Sequence, residues 1–454
     1  MPNAAVSPIG SWIGPALGIV LAVTAARVVL LGFSEADLFV DEAQYWLWGQ
    51  DLAFGYYSKP PLIAWVIRAS TALAGSDAPF WVRLPAPLFH AATALILGGI
   101  AARLYSAQAA VVTAAAYVTL PMVTVGSLLI STDTIMFPFL AGALALYLPL
   151  LAPGGGGRPH LAALAGMFLG LGFLAKYAAL YYLGLGALAA LHPGARPDPR
   201  DGVALLAAFA IVAAPNVIWN ASHGLATLFH TVDNTGWRGG VGFDPAALAR
   251  FLGEQFVLIG PVLFAAFLLA ALGLLRRGAG AAEGLLLALS LPILALVSVQ
   301  ALVSGANANW AAAAYLAGLL LAVPWLIARR RAWLVASFAI NGTLALALPL
   351  AATQADTLRL GDWLLLKRYV GLDELSRSVL DLAAADGAAA IVAANRAILA
   401  DLLYTGRASG LAVYAWPHEG PPRHHYEQRY PYPGTAAGPV LALVRDEAEL
   451  PCVP

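Results

Sequence analysis

Asp41-Glu42-Ala43-Gln44-Tyr45-Trp46-Leu47-Trp48, followed by Gly55-Tyr56-Tyr57-Ser58-Lys59-Pro60-Pro61, is a polar, aromatic stretch on an otherwise apolar chain. Of the 454 residues, 60% are hydrophobic and only 11% are charged, a composition suited to a bilayer. Two carboxylates and a lysine crowded among aromatic rings on such a chain mark the place where chemistry at a membrane surface is expected.

Outward from this stretch, apolar runs recur at about the 20-residue length that crosses ~30 Å of hydrocarbon as a helix. About eleven are expected, and element boundaries read this way are good to a few residues. They centre near 12–33, 86–104, 108–128, 133–152, 161–175, 177–191, 202–219, 255–275, 284–303, 311–328 and 332–351. Val23-Thr24-Ala25 resembles a signal-peptide cleavage site, but the first run is long and no Lys or Arg precedes it, so an uncleaved helix is expected. With the N-terminus inside, Arg103, Arg158, Arg196, Arg200, Arg276, Arg277, Arg329, Arg330 and Arg331 fall in short cytoplasmic loops, the positive-inside pattern. The Asp41 loop, the Asp133 and Lys176 turns, the 220–254 loop and the last hundred or so residues then lie outside the cytoplasm.

The 25 basic and 25 acidic side chains cancel, so no net field recruits nucleic acid. Arg27, near an outer helix end, is expected to snorkel toward the surface. The single cysteine, Cys452, forms no internal disulfide and belongs to no metal cluster.

Two regions are expected: a transmembrane domain over 1–354, with its outer loop at about 34–85, and a small extracytoplasmic α/β domain over 355–454. Within the loop, residues 62–75 are apolar but too short to span, and Trp65 and Arg68 suit a helix lying flat on the membrane. Gly166-x-x-x-Gly170 suits close helix packing. Beyond 355, a helical stretch 372–386 stopped by Gly387, an apolar run 388–393, a helix 395–405 and runs 411–416 and 439–444 alternate, as in a few parallel strands with helices.

Each candidate residue has a plainer reading. Asp41-x-x-Gln44 reads as a helix capping box, and Asp133 in Ser131-Thr132-Asp133 reads as a helix N-cap. Against capping alone, Glu42, Tyr45, Trp48, Tyr56, Tyr57 and Lys59 place a second acid, a cation and sugar-stacking rings beside Asp41. Lys59, fixed before Pro60-Pro61, reads either as a surface charge or as a ligand for an anion. The 220–254 segment, with His223, His230, Asp233, Trp237, Arg238 and Arg250, reads as a substrate lid or as an interfacial loop. Arg238 offers the planar fork that suits phosphate. Asn309-Trp310 reads equally as a site turn or an interface anchor, and His424-His425 as local structure.

Together the Asp-Glu-Ala-Gln-Tyr-Trp-Leu-Trp block, Gly-Tyr-Tyr-Ser-Lys-Pro-Pro-Leu, Val82-Arg83-Leu84-Pro85, Lys176-Tyr177, Trp219-Asn220 with His223, Arg238-Gly239-Gly240 and Asn309-Trp310 resemble bacterial glycosyltransferase family 39. The ordered resemblance spans about residues 20 to 320. It implies the polytopic GT-C fold and a polyprenyl-phosphate-linked sugar as donor. The family's relatives include protein O-mannosyltransferases and aminoarabinose transferases that modify lipid A. By resemblance the loop acid falls on Asp41, the following acid on Glu42, the donor-phosphate lysine on Lys59 and the second outer-loop acid on Asp133, with Tyr45 and Tyr56 lining the cavity. Tyr57, His223, Lys176, Asn309 and Trp310 complete the expected binding residues. Where aminoarabinose transferases carry an acid before the lysine and an Arg after Asp-Glu-Ala, this chain has Ser58 and Gln44. That departure argues against both a structural metal and an aminoarabinose substrate. No cofactor is required by the reading, which leaves room only for a divalent cation.

The chemistry follows from the residue types. An acceptor hydroxyl attacks the sugar C1 while a carboxylate takes its proton, and the leaving polyprenyl phosphate needs cations rather than an acid. Asp41 is expected as base, Glu42 and Asp133 as orienting acids, and Lys59 and Arg238 as phosphate ligands, with a lipid, glycan or protein acceptor. Direct displacement inverts C1, and the moved sugar would be a hexose or pentose unit. The alternative is a transporter or lipid flippase, which would place ionisable groups near the bilayer midplane on broken helices, whereas here the charges concentrate in loops.

Overall fold

The computed structural model describes residues 10–152, 154–191, 196–236, 242–418 and 420–444. The chain divides into two compact units, one formed by Met1–Gly32, Phe54–Ile63 and Arg83–Leu350, the other by Phe33–Ala53, Ala64–Val82 and Ala351–Pro454. Asp41 thus shares a unit with the C-terminal hundred residues, whereas Lys59 and Asp133 belong to the first unit.

Among the described residues the first unit is helical. Ile13–Leu31, Pro79–Leu104, Thr132–Leu151, Pro199–Ser222, Ala281–Ser304 and Arg331–Ala352 are long and apolar enough to cross a membrane. Two bent pairs, Ala107–Thr119 with Pro121–Leu128 (54°) and Pro245–Ile259 with Pro261–Arg277 (109°), raise the number of candidate spans from 6 to 8. The other three apolar runs are helices shorter than a span: Pro159–Ala175, Tyr177–Ala189 and Ala314–Ile327. Of the eleven expected spans, six to eight are long and apolar enough to cross a membrane among the described residues. Lys176, expected as a turn between two runs, is extended (φ −158°, ψ 135°) and separates the helices on either side of it.

Polar contacts between helices fasten this unit. Pro121 has no N–H to donate, and its helix is bent away from the preceding one. Arg27 reaches into the break: Nη2 donates to the Val118 carbonyl at 2.5 Å and to Thr124 Oγ1 at 2.8 Å, and Nη1 donates to Ser127 Oγ at 3.2 Å. Arg27 is buried, so the expected snorkelling is replaced by hydrogen bonding to freed backbone and hydroxyls. Gly166 and Gly170 let the helix Pro159–Ala175 approach the helix Pro199–Ser222, since added Cβ atoms would run into the Leu205 carbonyl and the Val212 side chain.

The second unit carries a three-stranded parallel sheet, with Ala390–Ala393 between Ala412–Ala415 and Val440–Leu443. The central strand is buried throughout, which its run Ala-Ile-Val-Ala permits. Gly387 (φ +62°) ends the helix Leu372–Ala385, and Asn395 caps the next, Arg396–Thr405, by accepting from Ala397 N–H at 2.8 Å. That helix packs on Val40–Gln50, the helix of Asp41. Trp46 meets Tyr404 edge-on at 5.0 Å, and both are tied to Asp77: Trp46 Nε1 donates to its Oδ1 at 2.9 Å and the Tyr404 hydroxyl to its carbonyl at 2.5 Å. Within the helix Leu62–Ala74, Trp65 donates to the Ala53 carbonyl at 3.0 Å and Arg68 to Gln50 Oε1 at 3.2 Å.

Candidate active site

In the second unit, Asp41 is the second residue of its helix rather than its cap. Phe39 is the N-cap residue, and the Glu42 carboxylate reaches back to accept the Phe39 N–H at 2.9 Å. The capping role expected of Asp41 and Gln44 is thus met by Glu42, because the helix starts one residue before Asp41 and places Glu42 at its third position. Released from capping, Asp41 and Gln44 face Arg396. Arg396 Nη2 donates to Asp41 Oδ1 at 2.5 Å, and Nε donates to Gln44 Oε1 at 3.1 Å. Asp41 Oδ2 has no hydrogen-bond partner among the described residues, and the side chain is 43% exposed.

Arg396 is cationic in this setting. Burial opposes its charge, but the neighbouring Asp41 carboxylate outweighs burial and its pKa is raised. Around it stand Tyr45, tilted against Trp48 at 5.4 Å, and His425, edge-on to Trp48 at 5.7 Å. Burial pushes the His425 pKa down to about 3, so it is a neutral ring at physiological pH. His424 caps the short helix His425–Arg429 by accepting the Glu427 N–H at 3.2 Å.

The first unit holds a second constellation. Ser131, not Asp133, caps the helix Thr132–Tyr147, accepting the Thr134 N–H at 3.2 Å. Asp133 instead takes Lys176 on both oxygens, at 2.8 and 2.7 Å, and Asn309 Nδ2 on Oδ2 at 2.9 Å. This brings together three expected residues from distant parts of the chain, with both Asp133 oxygens engaged. Trp310 lies beside Asn309 in the short 3-10 turn Ala308–Ala311.

Beside Lys176, Tyr177 donates its hydroxyl proton to Asn216 Oδ1 at 2.9 Å and accepts from Asn220 Nδ2 at 3.0 Å. Asn216 Nδ2 donates to the Phe54 carbonyl at 2.7 Å, and Thr227 Oγ1 donates to the Tyr56 carbonyl at 2.7 Å. Gly55 lies against the Trp219 ring so closely that a Cβ would collide with it. The segment around Lys59 is thereby pinned from several sides, and it closes in a turn in which Tyr56 N–H donates to the Lys59 carbonyl at 3.2 Å. Tyr57 meets His230 edge-on at 5.2 Å, and His223 stacks on Trp219 at 4.1 Å. The 220–254 segment is not an open loop: Ala226–Asn234 is helical and Pro245 begins another helix. Trp237, Arg238, Gly239 and Gly240 lie outside the described residues, as does Cys452. Among the described residues no group of three or more His, Cys, Asp or Glu is placed to hold a metal ion, and the residue before Lys59 is the buried Ser58 rather than an acid.

A model of the family described as dolichyl-phosphate-mannose-protein mannosyltransferase matches residues 58–219. Over 428 residues, 94% of this chain and 89% of the relative, the sequence is 43% identical to the lipid A galacturonosyltransferase RgtD of Rhizobium johnstonii. The chain belongs to glycosyltransferase family 39. Its fold is the GT-C fold, similar to that of ArnT from Cupriavidus metallidurans in the apo state (TM-score 0.62, 14% identity, 89% of this chain and 86% of that one). The same enzyme bound to undecaprenyl phosphate matches with TM-score 0.61 and 14% identity, over 90% and 87% of the two chains.

Reading this family-39 sequence alone misses Arg396 and Asn216. A signal for each was present. Arg396 follows the carboxyl end of an apolar strand at a helix start, where sites in parallel sheets gather. Asn216 is an amide inside an apolar run, where an unexplained polar group asks for a partner.

Proposed function

We propose that this membrane protein transfers a uronic acid from a polyprenyl phosphate to lipid A or a closely related envelope lipid, with inversion at C1. The sugar and acceptor class are carried over from the galacturonosyltransferase relative, and the polyprenyl phosphate from the lipid bound to ArnT. The observation that carries the assignment of roles is the difference among three carboxylates. Glu42 is only 1% exposed and bound to backbone. Asp133 has both oxygens on Lys176. Asp41 is held through one oxygen, and its other oxygen has no partner among the described residues. A general base needs an accessible lone pair, so Asp41 takes the proton of the acceptor hydroxyl.

Glu42 sets the start of the Asp41 helix, and Asp133 with Lys176 and Asn309 forms a fixed polar cluster. Lys59 and Arg238 neutralise the leaving phosphate, whose charge grows as the C1–O bond breaks and which therefore requires no protonation. Tyr45, Tyr56, Tyr57, His223 and Trp310 offer ring faces and polar edges to the sugar or the isoprenoid. The active face is the outer side of the bacterial inner membrane, with the N-terminus in the cytoplasm and residues 355–454 as an extracytoplasmic domain attached to the 1–354 membrane domain. Short arginine-bearing loops on one side support that orientation.

Mass spectrometry of lipid A and of polyprenyl-phosphate sugars from cells with and without the chain tests the reading. Loss of a uronic acid increment from lipid A, with accumulation of the uronate-bearing polyprenyl phosphate, is expected. Unchanged lipid A would refute the acceptor, and loss of a neutral or amino sugar would refute the donor.

A further inference from the structure

We infer that Arg396, from the C-terminal part of the chain, is a positioning residue for Asp41: it fixes the carboxylate through one oxygen and leaves the other turned to the acceptor. This rests on Asp41 being the base. Three observations carry it. The guanidinium is anchored twice, through Nη2 to Asp41 Oδ1 at 2.5 Å and through Nε to Gln44 Oε1 at 3.1 Å, so its plane is set as well as its position. Gln44 is buried, which makes it a fixed anchor rather than a mobile surface group. The two helices involved are themselves locked, by Trp46 against Tyr404, by the two bonds to Asp77, and by Asn395 capping the Arg396 helix.

A carboxylate on a free rotor presents either oxygen in many directions. Held by one edge of a planar fork, it presents the other oxygen in one direction, and that restriction lowers the barrier to an oriented proton transfer. Proton transfer from an alcohol to a carboxylate is workable when it accompanies C1–O bond formation and phosphate departure. An ion pair alone does not require Gln44, so the second anchor favours orientation over simple charge balance.

The charged and titratable neighbours of this pair are known. Glu42 and Tyr45 come from the Asp41 helix, and His424, His425 and Tyr426 come from the segment ending in His425–Arg429, all of them near Arg396 or Asp41. Burial pushes both histidines toward the neutral ring and holds Tyr426 protonated.

The test uses full-length protein in nanodiscs, with undecaprenyl-phosphate-linked galacturonic acid as donor and lipid A as acceptor. Arg396→Ala is expected to lower kcat by about 10- to 100-fold, with donor KM within roughly threefold of wild type. Arg396→Lys should restore only part of kcat, since an ammonium supplies charge without the fork. Gln44→Ala, which leaves the ion pair and removes the second anchor, should lower kcat in the same direction by a smaller factor.

Wild-type kcat in Arg396→Ala would overturn the inference. A rise in kcat would overturn it too, marking Arg396 as a latch. An active Asp41→Asn protein would remove the base assignment itself, whereas an inactive Asp41→Asn beside an unaffected Arg396→Ala removes only the role of Arg396.

Discussion

Arg396 and Asp41, 355 positions apart in sequence, are joined by a 2.5 Å hydrogen bond between Nη2 and Oδ1. The acid that opens the first polar stretch of the chain is thus held by a residue close to its end. The C-terminal α/β segment is therefore part of the proposed catalytic apparatus, and trimming it away should abolish transfer.

Asp41→Asn should lower the transfer rate ~10²- to 10⁴-fold with folding intact, the range for loss of a positioned base. Stability is spared because Glu42, not Asp41, closes the helix start. Rates at saturating donor, with matched amounts of folded protein, decide the matter. Activity within a few-fold of wild type would move the role elsewhere. Glu42→Gln should retain most of its activity, because an amide oxygen still accepts the Phe39 N–H.

Lys59→Ala should weaken use of a polyprenyl-phosphate sugar by about 10- to 100-fold, corresponding to loss of a ~1.5–3 kcal/mol charge-assisted contact. Its turn is closed by backbone, through Tyr56 N–H and the Lys59 carbonyl, so the fold should survive. Binding of undecaprenyl phosphate to purified protein provides the measurement. Wild-type affinity in Lys59→Ala would pass the phosphate role to Arg238.

The pair Asp133–Lys176 is mostly buried, with side-chain exposures of 11% and 18%. Lys176→Met leaves a carboxylate with Asn309 as its remaining described partner and should cost about 2–3 kcal/mol, below the full cost for a deeply buried charge. Combining Lys176→Met with Asp133→Asn should recover much of that loss, giving a coupling of ~1 kcal/mol or more in a double-mutant cycle. Thermal melts in detergent measure it, and additive single effects would mean that the pair contributes no coupling.

Asp401 supplies a pH dependence. Burial, aided by the nearby Asp37 and Asp373 carboxylates, raises its pKa to about 6, against the hydrogen bond from Thr405. The folded state then holds a proton that the unfolded chain releases between about pH 4 and 6, so this group makes stability fall as pH rises through that window. Asp401→Asn removes the effect. The stability gap between Asp401→Asn and wild type should move in favour of the variant by on the order of 2 kcal/mol from pH 4 to pH 7. His425 works in the opposite direction, its depressed pKa making stability fall as pH drops below the unfolded value, but it is present in both proteins and cancels in the comparison.

Orientation is checked by reporter fusion. A reporter active only outside the cytoplasm should work when joined after residue 360 and fail when joined within 196–201. The reverse pattern would put Asp41 on the cytoplasmic side and contradict the proposed site.

Residue order alone determined much of this protein. The apolar runs predicted helices because each must satisfy its own backbone hydrogen bonds in lipid, and Gly166-x-x-x-Gly170 predicted a close helix contact because only the absence of a Cβ permits one. The alternation after residue 355 gave the helix–strand sequence for the same kind of local reason, with Gly387 as its stop. Tertiary structure decided what local pattern left open. Whether Asp41 or Glu42 capped the helix turned on where its first residue fell, a shift of one or two positions that propensity does not resolve. The 54° bend at Pro121 inside one expected run, and the pairing of Lys176 with Asp133, came only with the packing of the helices. Arg27 was free to reach water by its position in sequence, yet the break at Pro121 offered it a carbonyl and two hydroxyls inside the helical unit. The partners of Asp41 and Asp133 lie hundreds of residues or several helices away. Sequence spacing sets only neighbours along one element, whereas an ion pair depends on which elements pack together.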